Sequence, residues 1–101
     1  MIACLGAEHA YFDQRLNVTY GHVRELARAR DAADQDAFDP VSMEDRLVQM
    51  QRAWIAYRDT RCAYERRQLQ GGSLADLYEV SCLVDLTAEQ TLLLDATVLD
   101  N

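Results

Sequence analysis

Cys62 and Cys82 each lie ten residues from Gly72, in the stretch RCAYERRQLQGGSLADLYEVSC. Helical spacing runs up to the glycine pair and resumes after it. Helices joined by a short turn run antiparallel, so positions equidistant from the turn face one another. A Cys62–Cys82 disulfide is therefore geometrically natural, provided the Cα atoms come within about 7 Å. It would close a loop of about 20 residues and contribute roughly 3 kcal/mol in the chain-entropy account. A chain of 101 residues makes one domain, spanning 1–101. A domain of that size buries only somewhat over ~60% of its unfolded surface, so such a staple carries a large share of the stability. Two alternatives stay open. Cys4, at the start of the first helix and so near the end of the second, competes for Cys62 or Cys82. Otherwise all three cysteines are reduced and buried. None lies in a C-x-x-C motif, so neither zinc nor a thioredoxin-like site is suggested.

Apolar or small residues at Cys4, Ala7, Tyr11, Leu16, Tyr20, Val23 and Ala27 follow one helical face, giving a first helix over 3–33. The acidic stretch DAADQDAFDP ends it, because Pro40 disfavours helical backbone at Asp39. Ser42 opens a second helix as N-cap, with Asp45 completing an S-x-x-D box. Leu47, Met50, Trp54, Tyr57 or Arg58, and Cys62 continue it. Gly71 and Gly72 stop this helix, and Ser73 with Asp76 repeats the cap. The segment TAEQ, Thr87 to Gln90, has the same form. It caps a last helix through Val98 or lies within one continuous third helix; a bend near Leu86 is expected. The fold class is all-α: a small bundle in which a long antiparallel hairpin carries a third helical arm packed across it.

The net charge is -7, and all ten cations are arginine. Such a chain repels phosphate backbones, which argues against nucleic acid. A basic protein would be steered toward it, although net charge also serves solubility alone. No apolar run approaches the ~20 residues of a membrane span. The start MIACLGAEHA lacks a cationic n-region and a long apolar h-region, so an exported chain would carry its signal peptide outside this sequence.

Four motifs follow in order: C-x12-N containing D-x-x-L-N-x-x-Y (Cys4, Asp13, Leu16, Asn17, Tyr20); Q-x-x-W-x-x-Y-R-D-x-x-C (Gln51 to Cys62); G-G-S (Gly71 to Ser73); and C-x4-T (Cys82, Thr87). Together they resemble the lysozyme inhibitor LprI-like N-terminal domain, also known as the domain of unknown function DUF1311. The resemblance covers nearly the whole chain. It implies a small helical bacterial domain, periplasmic or secreted and sometimes lipid-anchored, with a lysozyme-inhibitor role attached to the family name. It also implies a further cysteine upstream of Cys4, outside this sequence, which leaves Cys4 without its partner here. The family often has arginine at the position of Gln90.

Asp13 and Asn17 are one turn apart on the first helix, and Arg58 is one turn from both Trp54 and Cys62. An Arg58 contact to Asp13 or Asn17, with Asp59 beside it, reads as a polar clamp that sets helix register. Trp54, Tyr57 and Tyr64 read as core and rim aromatics. His9 and Asp13 have i, i+4 spacing, but two ligands do not make a metal site. Ser73 lacks a G-x-S-x-G frame. No catalytic residue, metal or cofactor is assigned, and an enzyme is not expected. The expected function is binding, by protein contact, of a basic partner such as lysozyme. Its better candidate contact loop is Gln70, Gly71, Gly72 and Ser73, whose glycines permit close backbone approach; the other is the acidic loop DAADQDAFD, with Phe38 as an exposed apolar anchor. The alternative is a structural role, or a small ligand held between the helices near Trp54, Tyr57 and Arg58.

Overall fold

The computed structural model describes residues 2–34, 36 and 38–99; the side chains of residues 2–5 and 99 lie outside that description. Three helices, α1 (Ile2–Ala33), α2 (Met43–Gln68) and α3 (Ser73–Leu99), account for the fold, with no strand among the described residues. The all-α reading holds.

Charged and capping groups make the α1–α2 corner. Ser42 Oγ accepts the Asp45 amide at 3.0 Å, as its S-x-x-D pattern implies. Asp31, in the last turn of α1, also accepts the amides of Met43 at 2.7 Å and Glu44 at 3.1 Å. One carboxylate of α1 thus satisfies two of the otherwise orphaned donors at the start of α2. Glu44 returns the contact, taking Arg24 Nε at 2.7 Å and Arg28 Nε at 2.6 Å. Arg24 and Arg28 are one turn apart, so both reach the same carboxylate.

The α2–α3 turn rests on backbone conformation. Gln70, Gly71 and Gly72 have φ of 64°, 95° and 86°. Glycine adopts this region freely. Gln70 does so at a cost of about 1 kcal/mol. The sequence pattern put a capping box at Ser73. Instead, Ser73 is the first helical residue, and the Asp76 amide bonds to the Gly72 carbonyl at 3.2 Å. The Asp76 side chain turns to Arg66.

The interruption expected near Leu86 is absent, since α3 runs unbroken from Ser73 to Leu99. No glycine or proline lies within it. Thr87 is 0% exposed, and its carbonyl accepts the Thr91 hydroxyl at 2.8 Å. A residue enclosed on all sides has no free helix end to cap, and TAEQ is helix interior.

The third element is thus a full-length member of the bundle. It packs along both other helices, most extensively against α1, while α1 and α2 touch least. The body measures 54 × 23 × 15 Å with a radius of gyration of 16.6 Å, against ~13 Å for a spherical domain of this length. So slim a body has a thin core. Leu16, Val23 and Leu94 form one cluster; Cys62, Cys82 and Leu86 form another. Trp54 packs against both. Cys62 and Cys82 are bonded, with Cα atoms 5.6 Å apart. The side chain of Cys4, and with it any pairing, lies outside the described residues.

Replacing Cys62 and Cys82 together by serine is expected to lower the unfolding free energy by roughly 3 kcal/mol. Urea unfolding measures this, and an unchanged midpoint would refute the staple. A second test concerns the corner. Hydrogen bonding from Arg24, reinforced by Arg28 and opposed by desolvation, holds the Glu44 carboxyl below its ordinary range. That contribution is present above the unfolded-state value and lost as pH falls through the folded one. Glu44→Gln should therefore lower Tm at neutral pH, and its gap from the parent should close in acid. A pH-independent gap would count against the ion pairs.

Candidate functional site

Arg58 emerges from the middle of α2 with its side chain only 14% exposed. Its guanidinium lies over the Trp54 ring, 5.1 Å from the centroid, a favourable cation–π position. Nε donates to Asp59 Oδ1 at 3.0 Å. Nη1 lies 3.9 Å from Asp13 Oδ1 on α1 and donates to Thr87 Oγ1 on α3 at 3.5 Å. One cation therefore touches all three helices. Asn17 is exposed and stands outside this group. The junction ties a side chain of α2 to side chains of α1 and α3, an arrangement suited to holding helices together.

Where a small ligand was the alternative, between the helices near Trp54, Tyr57 and Arg58, the Arg58 guanidinium covers the Trp54 ring. Trp54 is inside and covered by Arg58, whereas Tyr57 is outside, its hydroxyl accepting from Arg61 Nη1 at 3.1 Å. Tyr64, also exposed, accepts from Gln68 at 3.4 Å. His9 buries an Nδ1 that has no hydrogen-bond partner among the described residues. Its neighbour Asp13 faces Arg58.

A second polar contact went unread in the sequence. Gln90 donates to Gln51 Oε1 at 2.9 Å, and both residues are buried. A neutral amide pair thus links α2 and α3 at this position. Spacing from the α2–α3 turn points to such a pair only roughly, because Gln51 and Gln90 are not equidistant from Gly72.

The two candidate loops sit at opposite ends of α2, whose 26 residues span about 39 Å. Gln70, Gly71, Gly72 and Ser73 are all exposed, next to Arg66 and Arg67. Phe38 is fully exposed at the other end, with Asp34, Asp36 and Asp39 around it in sequence. Asp39 is held below the usual carboxylate range, first by the Arg46 hydrogen bond and then by the Val41 amide.

Beside the acidic loop lies an apolar groove of about 290 Å³. Its floor includes the buried Val23, Ala27 and Leu94. Leu26, Met43, Met50 and Leu93 form walls that keep 36–55% of their surface exposed. Helical spacing alone set Met50 in the periodic series of the second helix. That periodicity says which face is apolar; it does not say where three helices separate.

Arg58→Met should cost about 2 kcal/mol, since it removes the cation–π contact and leaves buried Thr87 Oγ1 short of a donor. Arg58→Lys should recover only part, because one ammonium cannot reproduce the planar fork. Thermal unfolding of both variants tests this; full recovery by lysine would reduce the junction to simple charge.

Comparison with known proteins places the chain in a family. The family described as lysozyme inhibitor LprI matches residues 1–94. An uncharacterized protein of Rhizobium meliloti (strain 1021) is 34% identical over 90 residues, covering 87% of this chain. This chain spans 64% of that relative's length. No solved structure matches. With all but its last few residues matched, the chain belongs to the lysozyme inhibitor LprI family.

Proposed function

We propose that this domain is an exported inhibitor that holds a lysozyme-type muramidase by protein–protein contact. The observation that carries the reading is family membership across residues 1–94. Charge supports it. Lysozymes of the animal type are basic, and a net charge of -7 favours encounter with a cationic partner. The Cys62–Cys82 bond supports a location outside the reducing cytosol. No described helix is long and apolar enough to cross a membrane.

Of the two candidate contacts, the acidic loop has the better electrostatics. Phe38 is a fully exposed aromatic side chain flanked in sequence by carboxylates. A large apolar anchor within a complementary charged rim is the usual composition of a binding hot spot. The Gln70–Ser73 turn is the second contact. Its left-handed backbone permits close approach, although Arg66 and Arg67 make its surroundings less suited to a cationic enzyme.

In a lytic assay with a basic animal-type lysozyme, equimolar domain should slow lysis, and rising salt should weaken the effect. Phe38→Ser should raise the inhibitory concentration by about tenfold with Tm unchanged. Full lysis, with no complex detectable at low ionic strength, would remove the reading.

A further inference from the structure

We propose that the apolar groove beside the acidic loop takes a cationic amphipathic helix of a partner protein. The inference rests on the reading that the domain works by protein contact, and it specifies the partner's recognition element. Leu26, Met43, Met50 and Leu93 surround a concavity yet stay exposed. Apolar surface left in water favours an occupant that covers it. Methionine thioethers are flexible and polarizable, and they adapt to side chains of varied shape. Along α1 the floor runs from Val23 to Arg30, about 10 Å. That length suits side chains at i, i+3 or i+4, and i+7 of one docked helix.

Charge selects among occupants. The depression next to the groove shares Arg30, Met43 and Arg46 with it and is also lined by Asp31, Asp34 and Asp39. Arg46 is neutralised by Asp39, with contacts of 2.8 and 3.0 Å. Asp31 is committed to the α2 amides. Asp34, exposed one turn beyond Arg30, lies beside the groove, and Asp36 extends the negative loop. An anionic amphiphile meets more carboxylates than free guanidinium groups. A second copy brings another net charge of -7 and the same acidic loop. A helix with lysine or arginine beside its apolar stripe matches both features.

The test uses the full chain and a synthetic amphipathic leucine–lysine helix. The same helix with glutamate in place of lysine is the control. The lysine peptide should shift the Met43 and Met50 methyl resonances and bind in calorimetry. Leu93→Ser, on the groove wall, should weaken binding about tenfold. Leu92→Ser, more exposed still but outside the groove, should change it less than about twofold. Absent methyl shifts, equal binding of the glutamate peptide, or equal loss in both variants would overturn the proposal. The lytic assay separates the two readings. Peptide capture without lysozyme inhibition upholds the groove and removes the muramidase reading, whereas inhibition without peptide capture overturns the groove alone.

Discussion

The bond between Cys62 and Cys82 ties α2 to α3 ten residues from the glycine turn on each side, and so sets the register between them. Once that register holds, Gln51 meets Gln90, Arg58 meets Thr87, and Arg66 meets Asp76. A slip of either helix by one residue would turn these groups by about 100° and leave several buried polar atoms unpaired. The covalent link matters more here than in a rounder domain. A body 54 Å long and 15 Å thick has little interior to enforce a register by packing alone.

That interior is also unusually polar. Thr19, Gln51, Thr87, Gln90 and Thr91 are buried beside only a few large aliphatic side chains. The structure satisfies them locally. Thr19 donates to Asp95 at 3.0 Å, Thr91 to the Thr87 carbonyl, and Gln90 to Gln51. Satisfied groups of this kind contribute modest net energy, but their loss in a mispaired bundle is costly. They therefore discriminate between arrangements more than they add to the stability of any one. Arg58 extends the same logic to α1, since its guanidinium reaches Asp13 while resting on Trp54. Trp54 in turn joins the two apolar clusters into one core.

Much of this fold was legible in the sequence, for local reasons. Pro40 and Ser42 mark one helix boundary, and Gly71 and Gly72 mark another, through backbone rules that need no tertiary context. The symmetry of Cys62 and Cys82 about Gly72 then brings two helices side by side. Local rules failed where tertiary burial decides. TAEQ has the letters of a cap, yet Thr87 lies at the centre of the bundle. Asn17 shares a turn spacing with Asp13, yet it faces water. The groove was illegible because Met43, Leu47 and Met50 follow the same periodicity whether they meet a neighbour or a gap. Family resemblance located the chain in the LprI family, but nothing in the motif letters shows which surface would meet a partner.

The staple and the groove occupy different halves of the bundle. Cys62 is in the turn-side half of α2, whereas Met43 and Met50 are in the half that begins at the acidic loop. The molecule is therefore anchored asymmetrically, like a clothes-peg with its spring at one end. The groove end is held instead by side-chain packing, with Val23, Leu47, Leu94 and Val98 in one cluster, and by the ion pairs of Glu44. Local opening costs less than global unfolding, and the end away from the covalent bond is where it would come first.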